Sequence, residues 1–562
     1  MSERREHSAI PKLKSQLAEG RIDRREFLRT TTLLGLSAAA AYGFADKVLG
    51  PSAGAAFAQP QPAPRQGGTI RVQTRLDDPT NAHAAAWVAT SNIIRQVCDY
   101  LVRTGADNVT RPWLLESWRP SEDLKTWTLN LRRDVRWHDG RQFTADDVVW
   151  NIRHWLEPSV GSSTLGLMRG YMLEQFETGE VRDGRPVTST RLWNANAIEK
   201  VDDFTVRLNL KEPQLAVPEH LFNWPNSVLD PAQGGRFAVG ANGTGPYQLV
   251  ALEIGRRAVF RAKRPYWAGV GPYADEIQFI DIGQDPAALI AAMASRQVDM
   301  LYEADITQLD VLRGLPGVRI AQVPTAQCGV ARVKVGERPF NDARVRMALK
   351  LAIDPNAILQ LAGRGVGAVG EHHHVAQIHP EYARLAPIGR DVERARRLLS
   401  EAGFPNGFDT EIYVRNAPAW EPTSVQGMVE QWRDAGIRVR INTVPQEQMR
   451  DLWLRVPFCY TSWGHRPLGV MVLAIAYRTG VPFNESSYSN PRFDELLTRA
   501  EGTADVEARR VMMRDIQTLL QEDGPIVQPF WRGIFTGVHE SIAGFEMHPT
   551  FFHFCNEWSV RA

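Results

Sequence analysis

The 562-residue chain is poor in cysteine, in net charge and in long apolar runs. Its four cysteines, Cys98, Cys328, Cys459 and Cys555, have neither CxxC nor zinc-ribbon spacing, so we interpret them as structural. With 65 Lys and Arg against 64 Asp and Glu, the formal net charge is only +1. Such a balance gives no electrostatic footprint for nucleic acid or an anionic membrane, and we expect neither partner.

Two motifs of catalytic proteins are also missing. No GxxxxGK[ST] loop is present, so ATP hydrolysis by that route is excluded, and no GxSxG supplies a nucleophile. The stretch from Gly365 to Gly370 matches GxGxxG formally. A dinucleotide site needs that loop between a strand and a helix, whereas here a predicted helix precedes it. We interpret it as a flexible connector and expect a protein without chemistry of its own.

The N-terminus is typical of an exported protein. The sequence Asp23-Arg24-Arg25-Glu26-Phe27-Leu28-Arg29, followed by a mildly apolar run over 30–45, resembles a twin-arginine signal with Asp23 where Ser or Thr is usual. That run is shorter than the ~20 apolar residues of a membrane span. Cleavage is predicted after Ala56-Phe57-Ala58, so that residues 1–58 are the signal peptide.

Removal of that peptide takes away nine of the 65 basic and six of the 64 acidic residues, which leaves a net charge of −2. No cysteine lies near the cleavage site, so a lipid anchor is not expected. We expect a soluble, monomeric periplasmic protein exported through the twin-arginine pathway.

Strand and helix patterns alternate along the remaining chain, which predicts an α/β fold with mixed sheets flanked by helices. The strands are predicted at 68–74, 203–210, 257–262, 276–282 and 437–444. The helices are predicted at 391–402, 424–435, 490–501 and 505–523, with further helices opened by Asp285-Pro286, Asn341 and Asp354-Pro355.

The most informative stretch is 112–155, PWLLESWRPSEDLKTWTLNLRRDVRWHDGRQFTADDVVWNIRHW. Alternating apolar residues from Lys125 to Trp137 predict strands, and Asp139-Gly140 predicts a turn. Thr144 followed by Asp147 predicts a capping box at the start of a helix that ends near Leu156.

This stretch closely resembles the family 5 extracellular solute-binding proteins, which serve importers of dipeptides, oligopeptides, nickel chelates and related solutes. The resemblance extends through GTGPYQL at 243–249, RPFNDARVRMALKLAID at 338–354 and SYSNPRFDELL at 487–497. It implies a two-lobed Venus-flytrap fold with an extra inserted domain. Lobe I would comprise 59–102, 200–323 and 526–562, the inserted domain 103–199, and lobe III 324–525.

The resemblance also implies a function. The chain would be the periplasmic component of an ABC importer, without cofactor, which captures a small solute between lobes and delivers it to a membrane permease and its ATPase. Cleft-lining segments of the family place Trp87, Trp420 and Trp463 beside the solute, because such clefts use aromatic walls.

One departure from the family concerns the loop Gly464-His465-Arg466. Peptide-binding members have an Asp there for the peptide ammonium, and a buried ammonium beside a guanidinium is unfavourable. Arg466 instead suits a carboxylate, phosphate or sulfonate.

We therefore predict a peptide-like, opine-like or other acidic or polar solute. The alternative is an Arg466 paired internally with Asp or Glu. The predicted solute-binding residues are Trp87, Trp420, Trp463, Gly464, His465 and Arg466.

Four histidines, His372, His373, His374 and His379, lie within eight positions. Imidazole is a common metal ligand, which leaves open a nickel- or metallophore-binding relative or an exported metal-dependent enzyme. Histidines without a defined spacing are a weak metal signal. We expect a solvent-facing or cleft-edge loop and no bound metal.

Overall fold

The computed structural model describes residues 6–50, 64–182, 185–481 and 483–561. These residues form the α/β, two-lobed fold with mixed sheets and flanking helices that the sequence predicts. Within this part of the chain, no helix combines the length and the apolar character needed to cross a bilayer.

A central sheet organises the molecule, and it has twelve strands among the described residues. Its main path runs in this spatial order: Tyr247–Glu253, Arg257–Ala262, Glu276–Ile280, Thr69–Gln73, Met300–Leu301, Phe530–His539, Val318–Val333, Phe458–Trp463, Phe408–Arg415 and Ile437–Val444. Two short strands lie off this path: Gly367–Val369 beside Phe530–His539, and Ile526–Val527 beside Val318–Val333.

The strand Val318–Val333 connects the two halves of this sheet. Its first part pairs antiparallel with Phe530–His539, and its last part pairs with Phe458–Trp463. The register shifts between Pro324 and Cys328, where the strand moves from one set of neighbours toward the other. The first half also contains a parallel pair, as does the second, so the sheet is mixed throughout.

Smaller sheets lie outside the central one. They contain the strands Val102–Thr104 and Thr110–Pro112; Leu115–Pro120, Thr126–Leu131, Thr205–Asn209 and Ile198–Asp202; Leu173–Arg182 and Arg185–Leu192; and Ile542–Ala543 and Ser559–Val560.

The helices are distributed along the whole described chain. The α-helices are Ala9–Ala18, Arg24–Leu33, Ala38–Leu49, Val88–Arg95, Ala145–Trp155, Ser163–Met172, Val217–Leu221, Pro286–Ala294, Leu309–Gly314, Ala343–Leu351, Pro355–Gly363, Val392–Glu401, Trp420–Asp434, Gln446–Leu452, Gly469–Ala476, Pro491–Glu501 and Val506–Glu522. Short 3-10 turns occupy Ala82–Ala84, Pro158–Val160, Pro231–Gln233, Ile306–Gln308 and Cys555–Glu557.

The stretch 112–155 folds as the sequence predicts. Strands Leu115–Pro120 and Thr126–Leu131 pair antiparallel, and Thr144 and Asp147 form the capping box that begins the helix Ala145–Trp155. The buried Asp147 also accepts hydrogen bonds from Trp137 Nε1 and Arg141 Nη1. Local sequence signals and tertiary packing therefore agree in this region.

Two expectations differ from the structure. The helix predicted from residue 424 begins earlier, at Trp420. Its first turn is buried, and Glu421 in that turn forms an ion pair with Arg415. The stretch from Gly365 to Gly370 is not a free connector, since Gly367–Val369 adds a strand to Phe530–His539. A side chain at Gly367 would meet the Trp531 carbonyl oxygen at 2.1 Å, so its glycine permits close strand approach.

A buried carboxylate, Asp99, ties several loops together. It accepts hydrogen bonds from Trp113 Nε1, Thr244 Oγ1, Tyr266 Oη and Trp267 Nε1, at 2.8 to 3.1 Å. Burial raises the pKa of Asp99, and these four donors act in the opposite direction. Because the donors come from three separate segments, the carboxylate fixes their relative positions.

We predict that Asp99→Ala lowers the free energy of unfolding by about 3 kcal/mol or more, because it leaves several buried donors without a partner. Urea denaturation followed by tryptophan fluorescence measures this difference. The matched control is Asp409→Ala, which removes an exposed carboxylate paired with Arg438. A surface pair contributes little, so the control should unfold like the parent protein. Equal stability of both variants would contradict the role given to Asp99.

Candidate functional site

Trp463, Gly464, His465 and Arg466 lie together at the end of strand Phe458–Trp463, on the wall formed by the second half of the central sheet. Trp463 Nε1 donates a hydrogen bond to Glu485 Oε1 at 2.9 Å, and its ring lies beside His374. Gly464 is exposed. The indole is therefore held in place at the point where the chain leaves the sheet.

His465 connects this wall to the opposite one. The Ala326 backbone N–H donates to His465 Nδ1, which leaves the proton on Nε2. That nitrogen donates to Asn108 Oδ1 at 2.7 Å. Asn108 belongs to the turn between strands Val102–Thr104 and Thr110–Pro112. Burial lowers the pKa of His465 well below its usual range, so the contact is made by a neutral imidazole.

Arg466 also reaches the opposite wall. Its guanidinium carbon lies 4.2 Å from the centre of the Trp224 ring, in a cation–π contact. Nη1 donates to the backbone oxygen of His465, while Nε has no hydrogen-bond partner. Burial lowers the pKa of Arg466 to about 10, and no described carboxylate acts against this shift. The guanidinium remains positively charged, and its Nε–H group has no hydrogen-bond acceptor.

The other two predicted tryptophans have different surroundings. Trp420 is 3% exposed and packs between Tyr460 and Phe530, with the Arg532 guanidinium 4.9 Å from its ring centre. Trp87 is 37% exposed and precedes the helix Val88–Arg95. Of the six predicted residues, four are consecutive in the chain, Trp420 packs in a hydrophobic core, and Trp87 is partly exposed.

The four histidines do not form a solvent-facing loop, because each is at most 3% exposed. Each ring has its own hydrogen-bond partners. His372 accepts from the Gln528 backbone N–H, and His374 contacts the Tyr477 hydroxyl. His373 contacts Glu371 and the Val375 N–H, and His379 contacts the Ala376 N–H and the Arg466 carbonyl. Among the described residues, no three His, Cys, Asp or Glu side chains converge as a metal site. The cluster is a buried hydrogen-bonding element.

Two buried carboxylates near the loop were missed in the sequence. Glu219 is 4% exposed; Thr110 donates to its Oε1, while Oε2 has no hydrogen-bond partner. Glu381 is fully buried; the Val470 backbone N–H donates to its Oε1, and its Oε2 is likewise without a partner. Neither residue stands in a motif, so no local sequence signal marks it.

The N-terminal segment, defined as residues 6–50, is packed between these walls. All residues of Glu26–Leu33 are buried, whereas a surface helix buries only one face. On one side, Trp118 Nε1 donates to the Leu33 carbonyl at 2.9 Å. On the other side, Arg29 donates to the Ile378 carbonyl and Glu26 pairs with Arg510. The segment therefore contacts both the sheet that contains Leu115–Pro120 and the helix Val506–Glu522.

A cavity of about 470 Å³ opens between the region 166–214 and the segment 474–501. It is lined by residues 166–175 and 211–214 on one side and by residues from 474–501 on the other. Arg169, Lys211, Glu212, Arg478 and Glu501 give it a mixed charge. None of the six predicted residues lines it.

Comparison with known proteins agrees with this architecture. Residues 109–482 match the family model described as bacterial extracellular solute-binding proteins, family 5. Curated relatives include the heme-binding protein A of Haemophilus influenzae, 22% identical with 81% of this chain and 85% of the relative covered. The glutathione-binding protein GsiB of Pectobacterium atrosepticum is 25% identical, with 78% and 84% covered.

Among solved structures, the binding protein AgaA of A. tumefaciens R10 in complex with agropinic acid is similar, with a TM-score of 0.75 and 20% identity. The match covers 88% of this chain and 99% of that one. It supports the two-lobed fold independently of sequence. The family match spans well over half of the chain, and the chain therefore belongs to the bacterial extracellular solute-binding proteins of family 5.

Proposed function

We propose that this protein is the periplasmic solute-binding component of an ABC importer, and that it captures a small polar solute between its lobes. The observation that carries the proposal is the interlobe group of Arg466, Trp224 and His465, where donors from one wall meet the opposite wall. Members of this family are binding proteins that work with a membrane permease and an ATPase. The same partners are proposed here, with no reaction performed on the solute.

Opening and closing would occur where the chain crosses between lobes, near residues 325 and 525. This proposal follows the lobe boundaries implied by the family, and the register shift between Pro324 and Cys328 supports the first crossing. A solute shifts the equilibrium only by its greater affinity for the closed form. A change from one per cent to 99 per cent closed takes about 5.5 kcal/mol of that preference.

The anionic part of the solute would bind Arg466. The guanidinium has donors left over and no carboxylate partner, so internal pairing, the alternative raised by the sequence, lacks support. A carboxylate or phosphate would convert this half-buried, incompletely paired cation into a charge-assisted, bidentate contact. Trp224 supplies the aromatic surface beside it, and Trp463 and Gly464 continue the same wall.

The names of the relatives support a proposal about the class of solute that this protein binds. Their names describe proteins that bind heme, glutathione, dipeptides or agropinic acid, several of which are carboxylate-bearing, peptide-like or opine-like compounds. We propose a solute of that kind. The metal-dependent alternatives rested on the histidines, and the separate hydrogen bonds of these side chains give them no support.

Export is proposed to use the twin-arginine pathway, with removal of residues 1–58. The predicted cleavage site at 56–58 lies outside the described residues. The capped helix Arg24–Leu33 carries the arginine pair at its start, with Arg25 exposed.

We predict that Arg466→Ala weakens binding of the native solute by about tenfold to a hundredfold, because a charge-assisted pair is lost. The solute is obtained by native mass spectrometry of protein purified from its host, and affinity is measured by isothermal titration calorimetry. Arg466→Lys should recover only part of the affinity, because lysine keeps the charge but not the planar fork.

The matched control is Arg440→Ala, which removes an exposed arginine on the same half of the sheet, paired with Glu411. This control should bind like the parent protein. Unchanged affinity of Arg466→Ala would remove Arg466 from the site.

We predict that the double variant Arg24→Lys, Arg25→Lys accumulates in the cytoplasm with its N-terminus intact. The parent protein should be recovered from the periplasm with a mass that corresponds to a chain beginning at Gln59. Cell fractionation and intact-mass measurement check both. Normal export of the double variant would contradict the twin-arginine route, while leaving the solute-binding proposal in place.

A further inference from the structure

A second, much smaller cavity lies between the end of helix Val88–Arg95 and the segment 553–556 near the C-terminus. Its volume is about 30 Å³, which is space for one or two particles the size of water, since each needs roughly 10–15 Å³. Two arginines, Arg95 and Arg103, and one histidine, His553, contribute to its wall. The six predicted solute-binding residues lie outside that wall.

Arg95 brings a positive charge to this wall. The residue is 6% exposed, and its guanidinium carbon lies 3.9 Å from the centre of the Phe552 ring and 4.6 Å from that of Tyr100. The rings of Phe222 and Phe554 follow at 5.6 and 5.7 Å. Nη2 donates to the Tyr100 hydroxyl at 3.3 Å, while Nε has no hydrogen-bond partner.

This charge has no counter-charge within the described part of the chain, where no Asp or Glu oxygen lies within 4.0 Å of the Arg95 nitrogens. Burial lowers the pKa of Arg95, Tyr100 acts in the opposite direction, and Arg103 adds to the decrease. Aromatic rings attract a guanidinium but do not neutralise it. Because buried charges are normally paired, Arg95 lacks a partner that the cavity has room to hold.

The other charged groups of the wall are already paired. Arg103 forms an ion pair with Glu557 at 2.7 Å. Asp99 also lines the cavity, but each of its two oxygens accepts two of the four hydrogen bonds described above. A carboxylate with four donors has its acceptor positions filled. The charge that remains uncompensated in this wall is therefore that of Arg95.

His553 adds a second group without its full set of partners. It is 2% exposed, and its Nδ1 has no hydrogen-bond partner. Burial lowers the pKa of His553 to about 3, so the ring is neutral and carries one N–H. The His553 backbone N–H donates to Asn92 Oδ1 at 3.1 Å, and Gln96 Nε2 donates to the His553 backbone oxygen at 3.0 Å. These bonds hold the histidine against the helix that ends in Arg95.

We propose that this cavity is a binding site for one monatomic anion, chloride or another halide, held by the Arg95 guanidinium and the His553 imidazole. Both groups can donate hydrogen bonds to an anion, and the guanidinium also supplies the opposite charge. A water molecule would accept the hydrogen bonds but would leave the charge of Arg95 uncompensated. Organic carboxylates are too large for the cavity. The ion links helix Val88–Arg95 to the segment 553–556 and stabilises the folded protein, whichever solute it carries.

Anomalous diffraction can locate the ion directly. Crystals of the full-length protein are soaked in sodium bromide, and data are collected at the bromine absorption edge. An anomalous peak is expected in the cavity, in contact with Arg95 and His553. A cavity that holds water and gives no anomalous peak would overturn the proposal.

Thermal unfolding tests the same site in solution. At constant ionic strength, sodium chloride in place of sodium gluconate should raise the Tm by about 2 °C, since chloride binds the folded state and gluconate does not fit the cavity. Arg95→Met keeps a long apolar side chain among the rings and should lose this difference. His553→Phe should raise the half-saturating chloride concentration about tenfold, because one donor to the ion is lost.

The matched control is Arg133→Met, which removes an exposed guanidinium 4.4 Å from the Phe204 ring and outside the cavity. It should respond to chloride like the parent protein. A bromide peak without any difference in Tm would indicate an adventitious ion only, and a difference retained by Arg95→Met would place the chloride elsewhere; either result overturns the proposal. If Arg95→Met does not fold, the bromide peak and the chloride response of the parent decide. No measurement involves the solute, so failure here leaves the proposed function standing.

Discussion

The interlobe site depends on charged side chains that lack part of their hydrogen-bond partners. Arg466 lies over Trp224 with an unused Nε, and Glu219 and Glu381 each carry an unused oxygen. Burial of such groups costs free energy unless a partner is supplied. We propose that the solute supplies this partner and that the pairing favours the closed form.

The N-terminal segment illustrates the same principle within the chain. All residues of Glu26–Leu33 in its second helix are buried, and Arg29 donates to the Ile378 carbonyl. The Leu33 carbonyl and the Glu26 carboxylate attach it to opposite sides.

Much of the fold could be predicted from the sequence, because capping residues and glycine stops act locally. Asp285, Asp354 and Asp391 cap helices as expected, and strands Arg257–Ala262 and Ile437–Val444 have the predicted bounds. The hairpin Leu173–Arg182 with Arg185–Leu192 was missed. It contains Thr, Arg and Glu rather than the alternating apolar residues that indicate a strand with one buried face.

The site was only partly predictable for a similar reason. A family resemblance pointed to the loop that ends in Arg466, and in the structure this loop follows strand Phe458–Trp463 and places the Arg466 guanidinium over Trp224. Trp420 was placed in a cleft by analogy, yet it packs in a lobe core. The burial of Glu219 and Glu381 could not be predicted, because segments far apart in the chain produce it. No local pattern reports that property.

The central claim is that a solute closes two lobes around itself, and small-angle X-ray scattering tests it most directly. Protein purified from its host is stripped of solute by reversible unfolding, refolded, and measured before and after addition of the released small-molecule fraction. A clamshell should show a smaller radius of gyration once the solute returns. An unchanged radius of gyration, with solute demonstrably bound, would contradict the account.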